Sequence, residues 1–134
     1  MTTTFQRCID LDGGTVAAAR AREFTARFMN DAEQARGHPA SRAATDAVLL
    51  VASELVTNAV RHTAGPCTLC LAAYEGGVLV EVRDTSAEPP QPRTPDITGA
   101  RGGWGWALIT RLADDVSVLP APDGGKAVRT RLPW

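Results

Sequence analysis

A carboxylate and a carboxamide stand four residues apart in the sequence, at Glu54 and Asn58. Residues at this spacing lie side by side on a helix. The amide oxygen can bind a hard cation, and the carboxylate can act as a general base on an attacking hydroxyl group. The alternative is a solvated helix surface without chemistry, so the elements that position the pair must decide between the two interpretations.

The pair belongs to the segment 49–63, LLVASELVTNAVRHT, whose pattern predicts an amphipathic helix. Its apolar residues recur at the helical period along one side. They are Val48, Leu49, Val51, Ala52, Leu55, Val56, Ala59 and Val60. The opposite side carries Ser53, Glu54, Thr57, Asn58, Arg61 and His62.

Two further features follow along the chain. Asp84 comes directly after a predicted strand, where its carboxylate could accept a hydrogen bond from the exocyclic amine of a base. The glycine-rich turn at 102–105 opens a predicted helix, and the N–H groups of such a turn form a site for an anion. The proline-rich segment between them has no apolar period, so we expect a long functional or mobile loop. Neither a Walker-type nor a Rossmann-type glycine motif occurs.

The remaining pattern predicts the order β-α-α-β-β-loop-α-β-β. We expect strands at 3–11, 67–74, 78–83, 117–119 and 127–132, and helices at 15–36, 42–64 and 106–115. Thr15 is the expected cap of the first helix, and Gly37 its expected end. This order indicates an α/β (α+β) fold, a two-layer sandwich with a mixed, mostly antiparallel sheet and helices on one face. The other face would be free for water or a partner.

The composition is that of a soluble protein with the size of one domain, taken as residues 1–134. A net charge of −1 gives no electrostatic reason to expect direct nucleic-acid or membrane binding. No run reaches the roughly 18 apolar residues that span a bilayer. The first residues lack a basic segment followed by an apolar one, so a cytoplasmic location is expected.

Three cysteines are an odd number, which argues against a disulfide framework. Cys67 and Cys70 form a C-x-x-C in a predicted strand. Residues three apart on a strand face opposite sides, which is poor geometry for a shared metal. We therefore expect these thiols to be structural.

Three segments, taken together and in order, resemble the GHKL ATPase/kinase superfamily, which has the Bergerat ATP-binding fold. ELVTNAVRH resembles its N-box, VEVRDTS its first glycine-box region, and GGWGWALITRLADDVSV its second glycine box with the following helix. The small size and the spacing of the boxes are similar to those of bacterial anti-sigma-factor serine kinases. The resemblance covers residues from about 43 to 132 and implies ATP and Mg²⁺ as cofactors.

The resemblance implies a role for several residues. Glu54 matches the catalytic carboxylate, Asn58 the Mg²⁺ ligand and Asp84 the adenine-binding acid. Gly103 and Gly105 match the phosphate-facing glycines. Arg61, just beyond the N-box, would either approach the phosphates or be a surface charge, and the segment at about 85–105 would form a mobile ATP lid.

The sequence departs from the family pattern after the strand that ends at Asp84. The usual D-x-G-x-G is here Asp84-Thr85-Ser86-Ala87-Glu88, without either glycine. Ser86 could crowd the base or supply a hydroxyl group to it. A threonine that relatives carry on the late strand would fall near Ala127, which removes one contact to adenine.

Two functions agree with these residues. The first is a regulator of transcription that transfers the γ-phosphoryl group of ATP to a serine of a small partner. The resemblance suggests a STAS-type anti-anti-sigma antagonist as that partner, with a sigma factor as the alternative client. The second is a non-catalytic anti-sigma module that binds its partner in response to ATP. Glu54 favours the enzyme, and the missing glycines favour the module. Relatives often form dimers, so a homodimer is one expected assembly.

Overall fold

The computed structural model describes residues 3–62, 66–85, 104–122 and 124–134. Within these ranges the chain forms strands and helices in the order expected from the sequence. The strands are β1 (Thr3–Leu11), β2 (Cys67–Tyr74), β3 (Gly77–Asp84), β4 (Asp115–Pro120) and β5 (Lys126–Leu132). The helices are α1 (Ala17–Arg36), α2 (Arg42–His62) and α3 (Trp104–Leu112).

The five strands form one open sheet in the order β1-β2-β3-β5-β4, and all four pairings are antiparallel. The predicted glycine turn joins β2 to β3. Gly76 takes a positive φ of 106°, which a residue with a side chain rarely adopts. Gly77 begins β3 so close to the carbonyl oxygen of Leu132 that a Cβ atom there would collide with it. Glycine at both positions therefore fixes the tight connection and the register that follows it.

The helices cover one face of this sheet. α1 packs on β1 and β2, α2 packs on β2, β3 and β5, and α3 packs against α2. Between the layers lie large side chains that are fully buried, among them Phe28, Leu69, Leu71, Val80 and Ile109. This arrangement confirms the predicted two-layer α/β sandwich.

Only the C-terminal end of α1 has the cap that the sequence predicts. Gly37 is left-handed with φ of 79°, and its N–H donates to the Glu33 carbonyl oxygen at 3.0 Å, as a glycine that ends a helix does. The predicted cap at Thr15 is wrong. The capping position is Val16, whose side chain makes no capping hydrogen bond. The first turn of α1 therefore depends on packing rather than on a side-chain cap.

Helix α2 is the central helix of the helical layer. The N–H of Ala44 donates to the Ser41 Oγ at 3.0 Å, which satisfies one of the open N–H groups of its first turn. Its buried side carries Val48, Val51, Ala52, Leu55, Val56 and Ala59, as predicted. Ser53 is buried too, so its expected place on the polar side is wrong. Its Oγ donates to the Leu50 carbonyl oxygen at 3.1 Å, and this bond within the helix permits its burial.

By length and by a mean hydropathy of 1.4, Arg42–Arg61 would also pass for a membrane-spanning helix. Core helices of soluble proteins share these two properties. Here the segment forms most of α2 and packs on three strands and two helices.

The opposite face of the sheet carries a row of paired residues across all five strands. From β1 to β4 they are Cys8, Cys70, Glu81, Arg129 and Ser117. Arg129 Nε donates to Glu81 Oε1 at 2.9 Å. The Arg129 side chain is 45% exposed, so this ion pair is open to solvent on one side.

A disulfide bond at the start of that row joins β1 to β2. Cys8 and Cys70 are direct register partners with a Cα–Cα distance of 4.1 Å. The expectation of no disulfide is therefore wrong, because a count of cysteines carries no information on strand register. Cys67 remains a free, buried thiol on the helix side of the sheet. The prediction that Cys67 and Cys70 face opposite sides is confirmed.

Candidate functional site

Asp84 is the last residue of β3, and its register partner is Lys126, the first residue of β5. Lys126 Nζ lies 3.0 Å from Asp84 Oδ1 and 2.9 Å from Oδ2. The Asp84 side chain is only 3% exposed, and that of Lys126 is 7% exposed. The predicted adenine-binding carboxylate is therefore already paired with an ammonium group from the neighbouring strand.

Position 125 fixes the place of this ion pair. A Cβ atom on Gly125 would collide with the carbonyl oxygen of Asp84, so the two strands approach at this point as only glycine allows. Register and close approach together set Lys126 directly across from Asp84. Side chains of such partners are close enough to interact without a long reach.

Cys67 lies on the other side of Asp84, at the start of β2. Thr68 pairs with Arg83, which places the preceding residue of β2 beside Asp84. Burial, and after it the charge of Asp84, raise the pKa of the Cys67 thiol from 9.0 to about 11. The thiol is therefore neutral at physiological pH and is not a nucleophile.

Helix α2 brings Glu54 and Asn58 toward the same end of the sheet. His62, the last residue of α2, is linked to Cys67 by only four residues, so this end of the helix lies near the start of β2. Asn58 is four residues before His62, about 6 Å along the helix axis, and Glu54 is one turn further. We therefore expect Asn58 to be nearer the sheet end than Glu54.

Both side chains on α2 are half-buried. In the described part of the chain neither forms a hydrogen bond or an ion pair. Arg61, by contrast, is exposed near the end of α2 and does have an interaction partner. The helix thus presents one carboxylate and one amide whose oxygens are available to bind a ligand.

The N-terminus of α3 is the expected third part of the site. β4 begins at Asp115, opposite Arg131, which is the end of the sheet away from Lys126. α3 ends at Leu112, just before this point, so we expect its first turn to point back toward Asp84. Gly105 is the second residue of α3. The open N–H groups of a first helical turn attract anions such as phosphate.

Part of the prediction lies outside the described residues. Ser86 and Gly103 fall there, as does most of the expected lid at about 85–105. The residues that the structure does place near one end of the sheet are Asp84, Lys126 and Cys67, with the C-terminal half of α2 leading toward them.

Lys126 is the site residue that sequence reasoning missed. The resemblance places the expected threonine of the late strand near Ala127. The register of the sheet, however, places Lys126 and not Ala127 opposite Asp84. A lysine that begins a strand after two glycines gives no sign of its burial. Only the pairing of β5 with β3 reveals it, and that pairing joins residues far apart in sequence.

The residues of this site fit Mg²⁺ better than they fit the adenine base of ATP. Asn58 offers the kind of oxygen ligand that Mg²⁺ prefers, to be completed by phosphate oxygens and water. In the described residues, no cluster of three or more His, Cys, Asp or Glu side chains offers a metal site formed by protein alone. Asp84 fits adenine less well, since both of its carboxylate oxygens already accept a hydrogen bond from Lys126.

Comparison with known proteins agrees with the fold and the order of these elements. A family model described as a histidine kinase-like ATPase domain matches residues 15–132. No curated protein matches the sequence. Among solved structures, the chain is similar to the crystal structure of the RsbU and RsbW domains of Rv1364c from Mycobacterium tuberculosis.

That structure aligns with a TM-score of 0.66 and 20% sequence identity over 97% of this chain. The chain spans 32% of the length of the solved one, and at this identity the likeness shows the fold alone. The family match, in contrast, covers most of the chain and confirms the resemblance seen in the sequence. This chain belongs to the histidine kinase-like ATPase domain family.

Proposed function

We propose that this chain is a cytoplasmic, ATP-binding regulator that transfers the γ-phosphoryl group of ATP to a serine of a small protein partner. The observation that carries the proposal is the pair on α2. Glu54 and Asn58 are half-buried and have no partner of their own within the described chain, on the helix that leads to the Asp84 end of the sheet. None of the described polar side-chain atoms is both buried and unbonded, so the oxygens of Glu54 and Asn58 reach solvent and are accessible to a ligand.

Each residue has a separate part in this reaction. Glu54 would accept the proton of the attacking serine hydroxyl, which is general base catalysis. Asn58 would hold Mg²⁺, whose charge stabilises the phosphoryl group during transfer. Gly103 and Gly105 would place N–H groups near the phosphates, and Arg61 would add a positive charge. Ser86 would line the base pocket.

The partner and assembly follow from the kinship proposed for this chain. We propose a STAS-type anti-anti-sigma protein as phosphoryl acceptor, a sigma factor as the alternative client, and a homodimer as the working form. The relative of similar fold carries an RsbW domain beside an RsbU domain. We take residues 1–134 as one ATPase domain whose lid spans about 85–105.

The test is phosphoryl transfer from Mg-ATP to a panel of purified STAS-type proteins, followed by detection of phosphoserine. Glu54→Gln should lower the transfer rate about 10²- to 10⁴-fold and leave ATP binding intact, because the amide cannot take up a proton. Glu75→Gln is the matched control, since Glu75 is exposed in the turn at the opposite end of the sheet. Equal rates for Glu54→Gln and wild type would exclude Glu54 as the base.

A second candidate function is a non-catalytic module that binds its partner in response to ATP. The ion pair between Asp84 and Lys126 favours it, because a paired base-reading carboxylate argues for weak nucleotide binding. This function predicts that ATP changes partner affinity while no phosphoprotein forms. Phosphoserine on any partner, dependent on Glu54, would exclude it.

A further inference from the structure

We propose that Lys126 competes with the nucleotide base for Asp84, so that this site holds triphosphates through their phosphate groups with little preference for adenine. The proposal rests on the proposed nucleotide-binding function and concerns the base selectivity of that same site. It makes Lys126 a specificity-determining residue of that site.

The first argument is the hydrogen bonding of the carboxylate. Lys126 Nζ is within 3.0 Å of both Asp84 oxygens. The exocyclic amine of adenine is a neutral donor, whereas the ammonium group of Lys126 adds the attraction of opposite charges to its hydrogen bonds with the carboxylate. The adenine amine is therefore the weaker of the two donors that compete for the Asp84 carboxylate.

The second argument is burial. With 3% and 7% of their side chains exposed, Asp84 and Lys126 lie in a poorly solvated place. A base that took the carboxylate for itself would separate the Lys126 ammonium group from the negative charge of Asp84. Breaking a buried ion pair in this way is strongly unfavourable. Adenine binding at Asp84 must therefore oppose a contact that stabilises the fold.

The third argument is that the backbone of Lys126 is fixed beside Asp84. Lys126 begins β5 directly opposite Asp84, and the preceding Gly125 touches the Asp84 backbone too closely for any side chain. A threonine at position 126 would reach the carboxylate with a short hydroxyl group, which can both donate and accept a hydrogen bond. One carboxylate oxygen would then be open to a base.

The first measurement uses the wild-type chain alone. Calorimetric titrations with ATP, GTP and inorganic tripolyphosphate, each with Mg²⁺, should give ATP and GTP affinities within about threefold of each other. A preference for ATP over GTP of about tenfold or more corresponds to a hydrogen bond that reads the base, and it would overturn the proposal.

The second measurement compares Lys126→Thr with wild type. We expect ATP affinity to rise about tenfold and GTP affinity to stay within about threefold, because the gain is one hydrogen bond to adenine. The double variant Lys126→Thr/Asp84→Asn should lose this gain. An equal change for both nucleotides, or no gain for ATP, would overturn the proposal.

Arg129→Thr is the matched control. Arg129 also pairs with an acidic residue of β3, but on the opposite face of the sheet. Its replacement should leave ATP and GTP affinities unchanged. Circular dichroism of each variant before titration shows whether it is folded, and the wild-type series decides the question if Lys126→Thr is not.

The two proposals fail in different ways. If neither nucleotide nor tripolyphosphate gives a calorimetric binding signal with wild type or with Lys126→Thr, the proposed function is overturned, and this inference with it. Binding of ATP by wild type with a clear preference over GTP would overturn only the inference, and would place the base in contact with Asp84 beside Lys126.

Discussion

Two ion pairs join the same two strands on opposite faces of the sheet. Asp84 and Lys126 meet on the helix side, with 3% and 7% of their side chains exposed. Glu81 and Arg129, three positions away on each strand, meet on the open side, where the Arg129 side chain is 45% exposed and that of Glu81 is 9% exposed. The N···O distance is 2.9 Å in both pairs. The two pairs thus have the same N···O distance in two different dielectric environments. The environment decides how much each pair contributes to stability.

The comparison shows why contact distance alone is a poor guide to function. Water and salt screen the open pair on its Arg129 side, and Arg83 Nε lies 3.6 Å from the other oxygen of Glu81, so the loss of Arg129 alone should cost little stability. The buried pair contributes to folding in a different way, because removal of one partner leaves the other charge in a poorly solvated place. The carboxylate predicted to recognise the base lies in the second environment, and there the proposed base binding would compete with a contact that the fold uses.

The largest expected effect comes from breaking the buried pair. Lys126→Met should lower the free energy of unfolding by about 3–5 kcal/mol, because it removes the ammonium group that pairs with the buried Asp84 carboxylate. Chemical denaturation measures this loss. Lys126→Met/Asp84→Leu is the control: it removes both charges and should recover most of the stability. If the single variant is as stable as wild type, the pair is not buried in solution.

The disulfide bond on the open face should come second. Replacing Cys8 with serine should lower the free energy of unfolding by about 2–4 kcal/mol, because the crosslink no longer restricts the unfolded chain. Wild type treated with reductant should match the variant, and reductant should not change the variant itself. Identical unfolding curves with and without reductant would show that β1 and β2 are not crosslinked in solution.

The buried face should also show a dependence on alkaline pH that comes from Cys67. Its pKa is raised from 9.0 to about 11 in the folded chain. Between these values the unfolded chain has lost the thiol proton while the folded chain keeps it, so the free energy of unfolding falls as pH rises. The two-unit shift corresponds to about 2–3 kcal/mol. Below pH 9 both states are protonated and this contribution to the slope disappears.

Cys67→Ala separates this effect from the titration of other groups. Unfolding of the variant between pH 9 and 11 should lack the part of the slope that Cys67 supplies, and the difference between the two proteins is the quantity to measure. Parallel slopes in wild type and variant would contradict a raised pKa.

The smallest effect is expected for the open ion pair. Arg129→Ala should change the free energy of unfolding by less than about 1 kcal/mol, and the difference should shrink as salt is added. The same salt series on Lys126→Met should leave its loss nearly constant. Equal salt dependence for both variants would remove the contrast between the two faces.

Much of the fold could be predicted because its signals are local. The helical period fixed the buried side of α2, and Gly76 marked the turn between β2 and β3. The place of Asp84 at a strand end followed from the same kind of pattern. The helix Trp104–Leu112 was predicted two residues too late at its start and three too late at its end, since the glycine-rich turn hides where the helix begins.

The features that were missed depend on contacts between distant residues. The Cys8–Cys70 bond joins positions 62 residues apart, and the register of β5 against β3 sets Lys126 opposite Asp84. Neither has a periodic signal along the chain. The roles of Glu54 and Asn58 were inferred from resemblance, and they stay predictions until phosphoryl transfer and Mg²⁺ binding are measured.

The close approach at Gly125 also restricts how this site can evolve. No side chain is tolerated there, because the Asp84 backbone occupies the space that a Cβ atom would need. The neighbouring position 126 has room for a side chain, but its replacement removes the buried ion pair with Asp84. A change in ligand preference through position 126 therefore costs stability, while position 125 admits no side chain at all.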